Sequence, residues 1–291
     1  MLLKQQEFYR SLTSLSPGLV ERIRRTIEDG EKKYSRKKDG KAGFLWEHTV
    51  LVATQSHRLA KAEKEDQDLA ALVALFHDAG KFAGGRYHAD GKPEEEEAAR
   101  LARAILEEAG LKMAEIGHVV RALRSLYRSG ASRNRLADIV HDADFLSKFG
   151  YLGVANFFVK STLRGRNLET AAMDYLSKEL TYAAVLPANM RTAAARRLAV
   201  KKSADTLRFY KSYIGELEEA RGMDLRVRTV DVPRAGGRGR LARVTLVLPA
   251  SCGACGGKWE TEFRTEAGLK CEKLEASLRC GACGETRSVS F

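Results

Sequence analysis

The chain has 291 residues, of which 44% are hydrophobic. This composition is that of a globular protein with room for one large core and a small satellite. No run of about 18 uncharged apolar residues occurs, and the amino-terminal Met-Leu-Leu-Lys-Gln-Gln-Glu lacks the apolar core of a signal peptide. We therefore expect no membrane span and a cytoplasmic location. The net charge of +12 favours an anionic partner, either a phosphorylated metabolite such as a nucleotide or a nucleic acid.

The first 222 residues show helical periodicity and no strand-like alternation, so they are predicted to form one all-α domain. The predicted helices are residues 17–34, 44–62, 66–76, 94–109, 114–128 and 136–149, further segments after Gly150, and 193–220. Ser16 is the expected N-cap of the first helix. The third helix is apolar nearly all round, which marks it as central.

Histidines fall on both faces of these predicted helices. At about 100° per residue, His48 shares the apolar stripe of Leu45 and Val52. His57 lies on the opposite face and is expected to be solvated, as is His118 on its own helix. A histidine in an apolar stripe is more often a satisfied core residue than a metal ligand, so His48 by itself decides nothing.

Further polar groups lie in apolar surroundings. The apolar run of the third helix ends directly in His77-Asp78, and Asp142 and Asp144 lie in the predicted helix 136–149. Burying such groups is costly unless a metal ion or a hydrogen-bond network compensates. For His77-Asp78 the alternative is a helix end with a solvated pair. Together with His48, these imidazoles and carboxylates suit a divalent ion such as Mn, Fe, Ni, Co, Mg or Zn, with water in the open positions.

Three motifs occur in this order in or directly after predicted helices: His48-Thr-x-x-Val-Ala, His77-Asp78-Ala-Gly-Lys81 and Ala143-Asp144-Phe-Leu. In combination they resemble the HD-domain metal-dependent phosphohydrolase superfamily over about residues 40–220. The resemblance implies an all-α HD-domain helical bundle that hydrolyses a phosphate ester, often of a nucleotide, with a metal-activated water. It also implies His48, His77, Asp78 and Asp144 as metal ligands. Asp142 is the second choice, or a partner that supports a ligand from behind.

The resemblance further implies roles around the metal. Asp78 would bridge the metal and the nucleophilic water, and Lys81 would neutralise charge on the phosphate. Arg124, Arg128 and Lys148 are candidates to hold phosphate oxygens. Exposed surface charge is the alternative interpretation for each of these three.

The sequence departs from the two-metal members of this superfamily. Those members have two further histidines, which would fall near Glu94 and Leu126 here. Because neither position holds a histidine, we expect a site for one metal ion. His88 lies in the intervening loop and is an acid/base or substrate-contacting candidate.

The composition changes after Gly222, and residues 223–291 are predicted to form a separate β-rich module with strands near 225–230 and 243–248. All five cysteines lie in it, four of them in two near-identical Cys-Gly-Ala-Cys pairs: Cys252, Cys255, Cys280 and Cys283. Four thiolates on two tight turns form a tetrahedral site for structural Zn, and the module resembles a zinc ribbon. A redox role for the pairs is disfavoured. Cys271 is left over, either as a buried free thiol, which we favour, or as a substitute ligand.

The module has few large apolar residues and is expected to need its metal to fold. Zinc ribbons bind nucleic acid or protein, or brace a neighbouring domain. The arginine-rich segment Arg234–Arg243 admits nucleic-acid contact, although a solvated linker is the favoured interpretation. The sequence thus predicts a phosphohydrolase. The alternative is a nucleic-acid- or protein-binding module that uses the ribbon on a catalytically degenerate HD scaffold. The oligomeric state is not indicated.

Overall fold

The computed structural model describes residues 6–36, 43–83, 93–126, 134–163, 165–166, 168–221, 225–233, 241–266 and 273–290. The helices in these ranges are α1 (Glu7–Leu15), α2 (Leu19–Arg36), α3 (Phe44–Glu63), α4 (Gln67–Phe76), α5 (Glu94–Glu108), α6 (Met113–Ser125), α7 (Arg135–Ser147), α8 (Gly150–Leu163), α9 (Leu168–Asn189) and α10 (Ala193–Arg221). The strands are β1 (Leu225–Pro233), β2 (Leu241–Pro249), β3 (Trp259–Glu266), β4 (Lys273–Cys280) and β5 (Thr286–Ser290). The predicted fold class, a helical bundle with a small β-rich cysteine module, is confirmed.

The chain forms two compact units. The first comprises Met1–Gly165 and Pro187–Lys201, and the second comprises Arg166–Leu186 and Lys202–Phe291. The boundary drawn from the sequence at residue 222 marks the change from helix to strand between α10 and β1, and it lies inside the second unit.

Helix α4 is the centre of the first unit. Residues 70–76 are at most 1% exposed, and the helix packs against α3, α6 and α7. At its start, the side chain of Asp66 accepts a hydrogen bond from the backbone N–H of Leu69 at 2.9 Å, which is the N-cap arrangement. Burying each large apolar side chain stabilises the fold by about 1.5–3 kcal/mol. The residues that follow Phe76 are therefore held by a helix whose last seven residues are all buried.

Helix α1 is an element that the sequence did not predict. Phe8 and Leu12 are its buried residues, and Ser16 ends it by donating its backbone N–H to the carbonyl of Leu12 at 3.0 Å. The expected N-cap role of Ser16 is therefore wrong. Gly18, with φ of +81°, turns the chain before α2 begins at Leu19.

His57 is buried rather than solvated, so that expectation is also wrong. Its Nδ1 atom lies 3.9 Å from Oε2 of Glu7, at the start of α1. The unpredicted helix supplies a partner on the face of α3 that the sequence pattern assigned to solvent. His118 is exposed on α6, as expected.

Pro187, inside α9, leaves one carbonyl of that helix to be satisfied by a serine of α10. Pro187 has no backbone N–H, so it cannot donate to the carbonyl of Ala183, four residues before it. The hydroxyl of Ser203 donates to that carbonyl at 2.6 Å. The buried acceptor is thereby satisfied from the neighbouring helix.

Strands β1 and β2 form an antiparallel hairpin in which Thr229 pairs with Thr245. The other edge of β2 is covered by hydroxyl groups of α9. The backbone N–H of Thr245 donates to Oγ1 of Thr181 at 3.0 Å, and that of Val247 donates to Oγ of Ser177 at 2.8 Å. The two hydroxyls are one helical turn apart, so they reach alternate residues of the strand.

Strands β3, β4 and β5 form a second antiparallel sheet in that order. Trp259 pairs with Cys280, and Arg279 pairs with Thr286. Throughout the described ranges, the helices lack the length and apolar character required to span a membrane.

Candidate metal centres

His48 lies in the second turn of α3, and the start of that helix is held from α2. The buried carboxylate of Glu31 accepts hydrogen bonds from the backbone N–H groups of Gly43 at 2.9 Å and Leu45 at 3.3 Å. These donors belong to the first turn, where helical N–H groups have no partner within the helix. Glu31 therefore fixes the end of α3 from which His48 projects.

His77 and Asp78 follow directly after α4, in a turn that packs tightly on α5. A Cβ atom at Gly80 would overlap the carbonyl oxygen of Glu94 and would lie 2.9 Å from the backbone nitrogen of Ala98. Glycine is thus required where the turn meets the first residues of α5. This contact fixes the position of the turn, and with it the position of His77 and Asp78 at the edge of the core.

The side chains of His48, His77 and Asp78 converge, with one candidate ligand atom from each lying within 4.8 Å of the others. The two Nε2 atoms of His48 and His77 are 3.4 Å apart, and each lies 3.8 Å from Oδ2 of Asp78. Oδ1 of Asp144, on α7, lies 3.2 Å from Nε2 of His48 and 4.0 Å from Nε2 of His77. The four residues named by the sequence motifs therefore meet at one point, which we call the helical cluster.

Hydrogen bonds fix how both imidazoles are presented. Nδ1 of His77 lies 2.6 Å from the carbonyl oxygen of Ala74, which can only accept, so Nδ1 carries the proton. The hydroxyl of Ser147 donates to the carbonyl of Asp144 at 2.7 Å, so its oxygen is left to accept from Nδ1–H of His48 at 3.5 Å. Both rings then direct an Nε2 lone pair into the cluster, which is the arrangement of metal-binding histidines.

The protonation states agree with this interpretation. Burial lowers the pKa of His48 despite the nearby charges of Asp144 and Asp78, which keeps the ring neutral. Burial alone would raise the pKa of Asp78 and of Asp144. The charges of Lys81 and Lys148 oppose this effect of burial, and both pKa values lie well below the usual range. At neutral pH the cluster therefore offers the neutral imidazole of His48 and two carboxylates, beside the imidazole of His77.

This donor set fits a divalent transition ion. Nitrogen and oxygen ligands bind such ions at about 2.0–2.2 Å, so neighbouring donors around one ion lie roughly 3.0–3.5 Å apart. The donors of the helical cluster are separated by 3.2–4.0 Å. Without a cation between them, two lone pairs and two carboxylates would face one another in a buried space.

Two lysines adjoin the cluster. Nζ of Lys81 donates to Oδ2 of Asp78 at 2.9 Å, and Nζ of Lys148 donates to Oδ2 of Asp144 at 2.8 Å. The Lys81 side chain is 22% exposed and that of Lys148 is 47% exposed, so both ammonium groups lie between the cluster and solvent. Burial would lower the pKa of Lys81, but Asp78 and Glu94 raise it above its ordinary value.

The remaining candidates from the sequence are placed differently. Arg124 is exposed and pairs with Glu96 on α5, Nε to Oε2 at 2.8 Å. Asp142 does not join the cluster. Both of its carboxylate oxygens accept hydrogen bonds from Arg191. His88, Arg128 and Cys271 lie outside the described residues.

Sequence reasoning did not identify Ser147, which contacts the imidazole of His48. It also did not identify Glu31, which holds the start of the helix that carries His48. Ser147 lies one turn after Asp144, where a side chain can reach the same cluster, and this spacing is the signal that could have found it. Glu31 gives no local signal, because its partners follow 12 and 14 residues later.

A second cluster lies between the β3–β5 sheet and the residues before it. The sulfur atoms of the four paired cysteines all lie within 4.8 Å of one another. We call this group the sulfur cluster. Sγ of Cys252 is 3.7 Å from that of Cys283, and Sγ of Cys255 is 3.5 Å from that of Cys280. Sulfurs bound at about 2.3 Å to a tetrahedral zinc ion lie about 3.8 Å apart, so the thiols fit zinc closely.

The two halves of the sulfur cluster repeat one another. In the first turn, the N–H of Gly256 donates to the carbonyl of Cys252 at 2.7 Å, and in the second, the N–H of Gly284 donates to that of Cys280 at 2.9 Å. Both glycines have positive φ, +72° and +75°, which explains their place after each pair. Backbone N–H groups of the second turn lower the pKa of Cys280 to about 6, which favours the thiolate that binds metal.

Comparison with known proteins agrees with this geometry. The family model described as HD domain matches residues 45–148. These residues carry all four members of the helical cluster, so the resemblance to HD domains drawn from the sequence motifs is confirmed. A search of curated protein sequences finds no match.

Among solved structures, the chain is similar to a predicted HD superfamily hydrolase from an uncultured Thermotogales bacterium, with 21% identity over 68% of this chain and 90% of that one and a TM-score of 0.48. It is also similar to Bacillus subtilis YpgQ in complex with ADP, with 19% identity over 69% and 96% of the two chains and a TM-score of 0.46. A third is an HD-superfamily hydrolase from Bacillus thuringiensis, with 20% identity, 68% and 97% coverage and a TM-score of 0.47.

An HD domain whose histidines and aspartates converge in this way supports a metal-dependent hydrolase. The helical cluster could hold its divalent ion, and the sulfur cluster is consistent with a zinc-binding module.

Proposed function

We propose that the helical cluster is the active site of a metal-dependent phosphohydrolase that cleaves a phosphate ester, with a nucleotide as the expected substrate class. The observation that supports this proposal is the combination of four metal donors with two lysines at their rim. His48, His77, Asp78 and Asp144 would hold the ion. When bound, it would polarise a phosphoryl oxygen and lower the pKa of a water molecule.

The charge balance favours an anionic substrate. The two carboxylates of the cluster are each paired with one lysine, so these four charges sum to zero. A divalent ion would make the site positive by two charges. A phosphate group matches that excess, whereas a neutral ester or amide would not.

Lys81 and Lys148 would have two roles. Each holds a carboxylate by a charge-assisted hydrogen bond, and each is partly exposed and can contact phosphate oxygens. Arg124 would need to leave Glu96 in order to contribute. His88 and Arg128 remain candidates from the sequence. A phosphoester screen would distinguish a monoester, a diester and a nucleotide pyrophosphate as the substrate.

The test is a phosphoester screen with the purified full chain and Mn(II), Co(II) or Ni(II). We expect hydrolysis of at least one nucleotide or related phosphoester, and its loss in the double variant His77→Ala, Asp78→Ala. The matched control is His118→Ala combined with Asp29→Ala, which removes an exposed histidine and an exposed aspartate and should retain activity.

Equal activity in the His77→Ala, Asp78→Ala protein would exclude this cluster as the active site. Zinc at the sulfur cluster, with no divalent ion bound at the helical cluster and no turnover, would instead support the alternative of a nucleic-acid- or protein-binding module. That alternative predicts salt-sensitive binding to DNA or RNA.

A further inference from the structure

Asp142 is fully buried, at 0% exposure, and it faces away from the helical cluster. It precedes Asp144 on α7 by two residues, which places the two side chains about 200° apart around the helix. Its carboxylate accepts hydrogen bonds from the backbone N–H of Arg191 at 3.0 Å, and from the N–H and the hydroxyl of Thr192 at 2.7 and 2.8 Å. These donors stand just before α10, so Asp142 fastens α7 to the entry of that helix.

The side chain of Arg191 strengthens this attachment. Its Nη1 donates to Oδ1 of Asp138 at 3.2 Å and to the carbonyl of Leu126, at the end of α6, at 3.1 Å. Asp138 is one turn before Asp142 and on the same face of α7. Two buried carboxylates of α7 therefore bind one residue, which opposes both rotation and sliding of the helix.

Helix α3 is tied to the same turn. Oε1 of Glu63, the last residue of α3, accepts from the backbone N–H of Ala194 at 2.7 Å, and Oε2 of Glu63 accepts from Nη2 of Arg135 on α7 at 2.7 Å. The entry of α10 is thus held by carboxylates from α3 and α7. These are the two helices that supply His48 and Asp144, whose side chains lie 3.2 Å apart.

We propose that Asp142 is a positioning residue for the metal site, not a ligand. By holding α7 against residues 191–192, it sets where Asp144 lies relative to His48. The inference rests on the proposed function, because it concerns the ion expected at the helical cluster. Loss of the carboxylate would leave buried N–H and O–H donors unpaired, and α7 would shift to restore them.

The experiment measures Mn(II) binding to the full chain by titration calorimetry, with zinc kept at the sulfur cluster as an internal reference. In Asp142→Asn, which presents an amide to donors that need an acceptor, we expect the dissociation constant to rise about tenfold to hundredfold, as when residues that support metal ligands are changed. One Mn(II) per chain should still bind at saturation, and the zinc content should not change.

A second pair of variants tests the same attachment without touching α7. Thr192→Val removes one of the donors to Asp142 and should weaken Mn(II) binding by a smaller factor, whereas Thr192→Ser keeps the hydroxyl and should restore it. Asn134→Ala is the matched control. It removes the N-cap of α7, where the Asn134 side chain accepts from Ala137 at 3.2 Å, and should lower the melting temperature without weakening Mn(II) binding.

Three outcomes would overturn the inference. Unchanged Mn(II) affinity in Asp142→Asn would show that the attachment does not reach the site. Complete loss of the Mn(II) site with an unchanged melting temperature would make Asp142 a ligand. An equal loss of Mn(II) affinity in Asn134→Ala would show that any destabilisation of α7 weakens binding, so that the attachment of Asp142 has no specific role. If Asp142→Asn does not fold, the Thr192 pair decides. Absence of Mn(II) binding in the unmodified protein is a separate result, which contradicts the proposed function itself.

Discussion

The two clusters hold similar numbers of metal donors but are built in opposite ways. The candidate ligands of the helical cluster come from α3, from the turn after α4 and from α7. They are positioned by other groups, among them Glu31, Ser147 and the carbonyl of Ala74. The sulfur cluster is carried by two tight turns. Among the side chains described in β3–β5 and these turns, the buried ones are Cys252, Leu278 and Cys280, and two of these three are candidate zinc ligands.

The difference shows what each metal would contribute. The helical cluster is organised by a hydrophobic core around α4, so its ion would supply chemistry to a site that already exists. The β-rich module that carries the sulfur cluster has few large apolar residues in its sequence, and its ion would supply much of the folding free energy. One metal is expected to be a cofactor and the other a structural element.

The largest expected effect is the loss of folded structure in β3–β5 when zinc is removed from the sulfur cluster. Structural zinc contributes about 10–16 kcal/mol of binding free energy in small zinc modules. Chelation should therefore unfold β3–β5 while α3, α4 and α7 stay folded. Hydrogen exchange would show loss of protection in residues 273–290 and retained protection in residues 67–76.

The control for zinc removal is the double variant Cys252→Ser, Cys283→Ser, which should show the same exchange pattern before any chelator is added. Protection of β4 that survives in the zinc-free protein would mean that the sheet folds without its metal, and the contrast between the clusters would fail.

A smaller effect is expected from Gly80→Ala, which disturbs the helical cluster through its packing. The added Cβ would overlap the carbonyl of Glu94, so the turn must move away from α5. We expect a loss of about 2–4 kcal/mol in the free energy of unfolding, measured by urea denaturation of the helical signal. Zinc content should be unchanged.

The matched control is Gly215→Ala, in the interior of α10, where an added Cβ meets nothing within 4 Å. This change should stabilise the protein by up to about 1 kcal/mol, because alanine favours the helix. A Gly80→Ala protein as stable as the unmodified chain would contradict the close packing of the turn.

The smallest effect is the acid response of the metal-free helical cluster. The pKa values of Asp78 and Asp144 are lowered in the folded state, so the unfolded chain binds more protons in acid. Their contribution is complete above the ordinary aspartate pKa of about 3.9 and is lost as the pH falls below it. His48, whose pKa is also lowered, weakens the fold in the same direction from about pH 6.5 downward.

The free energy of unfolding of the metal-free protein, measured by urea denaturation, should therefore fall between about pH 7 and about pH 3. The slope should be at most about 1.4 kcal/mol per pH unit for each carboxyl group. Asp144→Asn should have a shallower pH dependence, measured by the helical circular dichroism signal. An identical slope in the variant and the unmodified chain would mean that Asp144 is not charged in the folded protein.

Much of this architecture could be predicted from local patterns. The apolar run before His77 predicted a central helix, and α4 is that helix. The strands around Val227 and Val244 were predicted from the alternation of apolar residues. The convergence of the four cysteines was predicted from the spacing of the two Cys-Gly-Ala-Cys pairs. Local patterns suffice there because each element is defined by residues close together in the chain.

What could not be predicted depends on contacts between distant residues. Helix α1 is short, and the burial of Phe8 and Leu12 decides its position. His57 was assigned to solvent because α1 was missing from the prediction. The attachment of Asp142 to Thr192 spans 50 residues, and no periodicity within α7 indicates which of its carboxylates faces the metal and which faces α10.

The two hydroxyls that line β2 have a consequence for chain association. A hairpin has two outer edges, and each edge offers free N–H and C=O groups that can recruit another extended chain, the first step of β-aggregation. Ser177 and Thr181 occupy those groups at Thr245 and Val247. Helix α9 thereby closes one of the two edges at which this hairpin could be extended by a second molecule.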